Sequence, residues 1–232
     1  PNVIPAGPVN SAYAQEQARK VWHFELNPVP GFKLTYAPDK MDSGELKVLY
    51  VYGENPVMSD PWTEHFVHAT HHLDCFIVQD LFFTESAQKA DVVLPAAGWG
   101  EKDGTFINTS RRVQRTRKAS EPVGGVEPDW KVVCNIAKAM GLEGFDFLSA
   151  EEVWDELRKL MPKFFGGISY YRLEKLGGIS WPCHDEYHPG TPDLYTEHKS
   201  MLPDGKFRLA PVLYADDKEK SANMAAKYKA KI

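Results

Sequence analysis

The chain has 232 residues, 43% of them apolar and 25% charged, with a formal net charge of −5 and a pI near 5.9. That balance gives no positive field for nucleic acid and would be repelled by an acidic membrane face. No apolar run approaches the ~18 residues of a bilayer span. The length suits one large domain, or one domain with appendages.

The three cysteines, Cys75, Cys134 and Cys183, form no CxxC pair. So sparse and odd a set argues against a secreted disulfide framework and suits a reducing, cytoplasmic compartment. It is also too small to supply the four thiolates of an iron–sulfur cluster. Cys75 and Cys134 sit among apolar neighbours and read as buried core thiols. The chain opens Pro-Asn-Val-Ile-Pro with no signal-like stretch, an expectation of processing there or of membership in something larger.

In chain order, residues 1–45 read as an N-terminal arm and helix, with a helix at Ala12–Phe24 and an extended arm around Asn27–Thr35. Residues 46–215 read as an α/β domain. The run LKVLYVY from Leu46 fits a buried strand, followed by the loop Gly53–Pro56 and a helix over Trp62–Leu73 with apolar positions Trp62, Phe66, Ala69 and Leu73. A strand at Cys75–Gln79, a short helix near Thr84–Lys89 and a strand at Asp91–Leu94 come next. Strands and helices alternating at this spacing predict βαβ units, hence a mainly parallel sheet flanked by helices. After a long polar loop, helices are expected at Pro128–Met140 and at Ser149–Leu160, the second opened by a capping box of Ser149 and Glu152. Residues 164–206 are punctuated by Gly and Pro, with the segment SWPCHDEYHPGTPDLY (180–195) read as irregular, Lys206–Pro211 as a strand, and 216–232 as a Lys-rich, solvated helical tail.

Candidate binding residues gather where the strands stop. Asn55, in the loop after the first strand, offers donors and acceptors, although a plain strand-to-helix turn explains the loop as well. Gln79 and Asp80 end the second strand. Their amide and carboxylate suit a guanine edge or a ribose diol, while Asp80 can equally cap the next turn. Lys102, with Arg111 and Arg112 further on, suits a pyrophosphate, the alternative being a self-neutralising solvated cluster. Asp129 stands at a helix start, where a carboxylate commonly complements the dipole. His68 and His72 in HATHH have metal-ligand spacing without a sequence-adjacent carboxylate to complete a set; Cys183, His184 and His188 are a second, equally incomplete group. No nucleophile elbow, Walker loop, GxGxxG or HExxH occurs, so no catalytic residue is assigned.

Taken in order, YGENPVMSDP, IVQDLFFTESAQKADVVLPAAGWGEKDGTFINTSRRVQR, PDWKVVCNIAKAMG, GISYYRLEKLGGISWPCHDEYHPGTP and LPDGKFRLAPVLY resemble the catalytic subunit of molybdenum- or tungsten-dependent formate dehydrogenases, within the wider molybdopterin oxidoreductase family. The resemblance covers nearly all of residues 1–214, and WPCHDEYHPGTP tilts it toward formate dehydrogenases. It implies a bis(molybdopterin guanine dinucleotide) cofactor with Mo or W. By motif match, Asn55 contacts that cofactor, Gln79 and Asp80 bind its guanosine, Lys102 its phosphate or pterin side, and Asp129 a guanine or pterin edge. The family's cysteine cluster for a 4Fe–4S centre, its metal-ligand motif and its C-terminal barrel are not in this sequence. The resemblance therefore implies a middle α/β domain, as a fragment or a split subunit. A partner chain would carry the iron–sulfur head, metal ligand and barrel beside electron-transfer subunits, and this chain alone would be inactive. The tail DDKEKSANMAAKYKAKI reads as a natural stop. The alternatives are another molybdopterin oxidoreductase (a nitrate reductase, or a relative of the NADH dehydrogenase large subunit) or a non-catalytic scaffold or assembly module.

Overall fold

The computed structural model describes residues 3–5, 7–196, 199–200 and 204–209. The chain divides into two units, Pro1–Pro192 and Asp193–Ile232.

The first unit begins with a two-stranded antiparallel ribbon, β1 (Val3–Ile4) and β2 (Gly7–Pro8), and helix α1 (Ala12–Trp22). Ser11 caps α1, accepting a 3.1 Å hydrogen bond from Ala14 N. The helix stops two residues short of Phe24 because His23 turns left-handed, at φ 53°. Helix α2 (Ala37–Asp42) then leads into strand β3 (Val48–Tyr52).

Strand β3, helices α3 (Pro56–Ser59) and α4 (Thr63–Thr70), strand β4 (Cys75–Asp80), a 3-10 turn at Ala87–Lys89 and strand β5 (Val92–Pro95) form the predicted βαβ series. The sheet is parallel, in the order β3-β4-β5. Register pairs Val51 with Val78 and Val78 with Val93, so one face of the sheet is a row of apolar residues. Val51, Phe76, Val78 and Ala87 bury that face, and Leu49 and Leu73 join it to the layer of Met41, Val57, Phe66 and Ala69. Full burial of a side chain such as Phe76 contributes about 1.5–3 kcal/mol, enough to fix which face of β4 points inward.

The polar stretch after β5 folds, contrary to its loop-like reading, into an antiparallel hairpin of β6 (Gly104–Ile107) and β7 (Arg112–Thr116). A third strand, β8 (Ile179–Ser180), pairs with β7. Helices α5 (Asp129–Ala139), α6 (Ala150–Leu160), α7 (Pro162–Phe165) and α8 (Tyr170–Leu176) complete this half. Ser149 caps α6 as predicted, while the Glu152 carboxylate reaches back to Leu148 N at 2.8 Å. Trp154, Phe165, Ile168, Leu173, Ile179 and Val113 build the main core here. In the segment expected to be irregular, 180–195, Ser180 ends β8 and the rest forms no helix or strand, as predicted. Gly166 and Gly167 let the chain after α7 press against 183–185. A β-carbon on Gly166 would lie 2.5 Å from the His184 carbonyl oxygen, and one on Gly167 would overlap that of Asp185.

In the second unit the Tyr195 and Phe207 rings pack edge to face at 5.1 Å. The strand expected at Lys206–Pro211 is not formed over Lys206–Leu209, which have no ladder partner among the described residues. Its last two residues and the predicted tail helix at 216–232 lie outside the described residues.

Candidate functional site

The parallel strands end together at Tyr52, Asp80 and Pro95. Gly53 takes a left-handed turn at φ 63° and donates from its N–H to Gln79 O at 2.9 Å, so the loop leaves the sheet beside the end of β4. Because register pairs Tyr52 with Gln79, and alternate residues share a face, Tyr50, Tyr52 and Gln79 look to the same side.

Gln79 is fully buried, so each end of its amide needs a partner. The Tyr50 hydroxyl donates to Oε1, and Nε2 donates to Asp129 Oδ1 at 3.0 Å. Asp129 is the first residue of α5, directly after Pro128, where proline is tolerated and a carboxylate complements the helix dipole. Its other oxygen accepts from Lys102 Nζ, which also donates to Ala97 O at 3.0 Å. A continuous polar chain therefore runs Tyr50, Gln79, Asp129, Lys102, Ala97. Little of the ion pair meets solvent, with 23% of the Lys102 side chain and 13% of the Asp129 side chain exposed. A cleft of about 500 Å³, with Tyr52, Lys102, Phe106, Asp129 and Trp130 in its walls, opens on this chain.

Burial, and after it the nearby Asp129 carboxylate and Tyr50, push the Tyr52 phenol up to about 12. Burial and then Asp129 raise Tyr50 as well. Both phenols thus resist ionisation, and that of Tyr50 donates to Gln79. The edge thus offers phenol, amide, ammonium and carboxylate side by side, a set able to bind both a heterocycle with N–H groups and an anion.

Three of the predicted residues, Gln79, Lys102 and Asp129, are brought into direct contact. Asp80 lies next to them in sequence but on the opposite face of β4. Its Oδ1 accepts from Leu81 N at 2.6 Å and Phe82 N at 3.3 Å, the turn-capping role. Asn55 stands apart and ties two loops together. Its Oδ1 accepts from Ser86 N at 3.1 Å and Ser86 Oγ at 2.7 Å, and its Nδ2 donates to Glu85 Oε2 at 2.8 Å. Arg111 does not join Lys102. It sits in the hairpin turn at the far end of β6 and donates to the Trp181 and Pro192 carbonyls. Cys183 is fully buried beside the Arg172 guanidinium, 3.3 Å from Sγ, and forms no metal-ligand group with His184 and His188 among the described residues. Tyr50 and Tyr52 escaped the sequence reading as site residues, although tyrosines alternating into a strand end beside a glycine were the available sign.

Residues 2–139 match the family model for molybdopterin oxidoreductase. The chain belongs to the molybdopterin oxidoreductase family. It is 44% identical over 225 residues to the F420-dependent formate dehydrogenase 1 subunit alpha of Methanococcus maripaludis, covering 94% of this chain and 32% of that protein. To formate dehydrogenase H of Escherichia coli it is 37% identical, over 82% of this chain and 27% of the other. The assimilatory nitrate reductase catalytic subunit of Bacillus subtilis is also 37% identical, with coverages of 83% and 28%. This molybdopterin oxidoreductase chain thus spans about a third or less of the length of these relatives. Among solved structures, acetylene hydratase from Pelobacter acetylenicus shares the fold, with a TM-score of 0.55 at 18% identity over 74% of this chain and 24% of that one.

Proposed function

We propose that this chain is the middle α/β part of a formate dehydrogenase or CO2 reductase catalytic unit and holds one guanine dinucleotide arm of a bis(molybdopterin guanine dinucleotide) cofactor. The Tyr50–Gln79–Asp129–Lys102 chain at the carboxyl ends of the parallel strands carries this reading, because it presents an anion site and a carboxylate next to each other on a buried frame. Those residues fit the nucleotide portion and offer no ligand to Mo or W. When bound, the cofactor supplies the redox chemistry.

The chain's residues then bind and orient. At the end of β4, Gln79 serves the guanosine by orienting Asp129 from its buried position, and Asp80 offers it the oxygen left over from its turn. Lys102 neutralises a phosphate or the pterin side as a point charge. Asp129 accepts from a guanine or pterin N–H. Asn55 fixes the neighbouring loop against Glu85 and Ser86 so that it can contact the cofactor. Tyr52 stays protonated in the wall of the cleft, and Tyr50 steadies Gln79 from behind it. The metal ligand and 4Fe–4S centre belong to a partner chain, electron-transfer subunits accept the electrons, and the assembly works in the cytoplasm. High identity to formate dehydrogenase alpha subunits over 94% of this chain supports formate as the substrate.

Asp80→Ala in the assembled enzyme is the test. Mo or W content and formate-dependent dye reduction should fall together. Normal metal content and activity in that variant would sink the assignment, and nitrate turnover without formate turnover would move it to the nitrate reductase branch.

A further inference from the structure

Asp42 ends α2 and meets the histidines of α4, the helix that follows β3. Its Oδ2 lies 2.8 Å from His65 Nε2 and its Oδ1 3.1 Å from His72 Nδ1. His68 lies on the same stripe of α4, since residues three and four apart on a helix are neighbours. α4 proper ends at Thr70, but a tight turn continues the spiral. His71 N donates to His68 O at 3.2 Å and His72 N to Ala69 O at 3.0 Å. The His68 and His72 rings end up with centroids 5.5 Å apart. One possible ligand atom from each of Asp42, His68 and His72 lies within 4.8 Å of the other two.

We propose that Asp42, His68 and His72 form a binding site for a divalent transition-metal ion of the zinc type, which pins α2 to α4. Two imidazoles and a carboxylate are the ligand set that suits such ions, whereas calcium and magnesium want oxygen throughout. Zinc bonds of about 2.0–2.2 Å put tetrahedral ligand atoms roughly 3.3–3.6 Å apart, so the three atoms need close by little more than an ångström. The side chains are solvent-exposed and can make that adjustment by rotation, and water completes the shell. Their backbones are fixed, because Met41, Phe66 and Ala69, next to or between the ligands in sequence, are buried in one core cluster. His65 serves as the outer partner. By holding the second oxygen of Asp42 it keeps the carboxylate turned toward His68 and His72, the kind of support that tunes metal affinity about 10–100-fold. None of these residues belongs to the Gln79–Asp129–Lys102 chain, so the site stands independently of the cofactor reading.

The experiment is titration of the untagged 232-residue chain with Zn2+ by calorimetry, and with Co2+ by its d–d absorption. One equivalent should bind, with a tetrahedral or five-coordinate Co2+ spectrum and a melting temperature raised by about 5 °C at a hundredfold excess over Kd. Asp42→Asn and the pair His68→Ala/His72→Ala should each weaken binding at least tenfold. His65→Ala should weaken it about tenfold while leaving one equivalent. His184→Ala/His188→Ala, which removes the other close histidine pair (ring centroids 4.5 Å apart), should change nothing. The proposal is overturned if no saturable binding occurs, if the α2–α4 variants bind as the parent does, or if binding is lost with the His184/His188 pair instead. Normal circular dichroism of each variant, with the exposed ligands replaced, keeps loss of binding separate from loss of fold.

Discussion

Gln79 at the end of β4 donates a 3.0 Å hydrogen bond from Nε2 to Asp129 Oδ1 at the start of α5, fifty positions along the chain. This bond ties the parallel sheet to the helix that follows the hairpin. Gln79→Leu keeps the volume but strands the Tyr50 hydroxyl and one Asp129 oxygen in a buried setting. Loss of such partners costs about 1–3 kcal/mol. The expected result is a lower urea midpoint with an unchanged slope; an unchanged midpoint would mean the bond is not a structural tie.

Lys102 and Asp129 are coupled and should behave so in a double-mutant cycle. Lys102→Met or Asp129→Leu alone leaves a poorly solvated charge and should cost about 1–3 kcal/mol. The double variant should cost less than the sum of the two by at least ~0.5 kcal/mol. Additive costs, read from urea unfolding, would show the two groups acting separately.

Tyr52 provides a pH signature. The folded protein holds its proton up to about 12, whereas an unfolded tyrosine releases it near ~10. The stability from this group is therefore complete below about pH 10 and is lost as pH rises through about 12. Burial is the first cause, so Asp129→Asn should lower the phenolate transition only in part. Tyr170 is likewise pushed up to about 12 by burial, against the opposing Arg115, so the titration is best followed by phenolate absorbance in a Tyr170→Phe background. A transition unmoved by Asp129→Asn would remove the carboxylate as a cause.

Gly167 and Gly100 make a matched comparison. A β-carbon on Gly167 would run into the Asp185 backbone and come within 2.9 Å of Cys183 Sγ, whereas one on Gly100 meets nothing within 4 Å. Gly167→Ala should cost more than about 3 kcal/mol or prevent folding. Gly100→Ala should lie within about 0.5 kcal/mol of the parent. Equal melting temperatures for the two variants would contradict the close approach of 166–167 to 183–185.

The parallel sheet was legible because β3, β4 and β5 are short apolar runs ended by turn residues, and the start of α6 because Ser149 makes the cap that its spacing with Glu152 predicts. The β6–β7 hairpin was not. Only Val113 of β7 is fully buried, so the hairpin lacks a clean apolar alternation. Its turn puts Arg111 at φ 62°, a conformation usually announced by glycine or asparagine. Bonds from the Arg111 guanidinium to Trp181 and Pro192, with the ring of Trp181 at 5.6 Å, hold it there, and such distant partners leave no local trace. At the site, residue types made Gln79, Lys102 and Asp129 candidates, and the motif resemblance singled them out. Their mutual contact, and the turn-capping and loop-bridging bonds of Asp80 and Asn55, depend on tertiary placement that no spacing reveals.

On the function proposed above, the closed Lys102–Asp129 pair would turn ligand capture into an exchange of anions. A phosphate that reaches the Lys102 ammonium displaces a carboxylate already there, so the gain in charge pairing is small. The displaced Asp129 must then find a new donor in a place where little water reaches it. A ligand with an anion at one end and an N–H group at the other satisfies both residues at once, while inorganic phosphate would leave Asp129 stranded. The pair would thereby act as a filter against small inorganic anions, discriminating by what remains unpaired after binding.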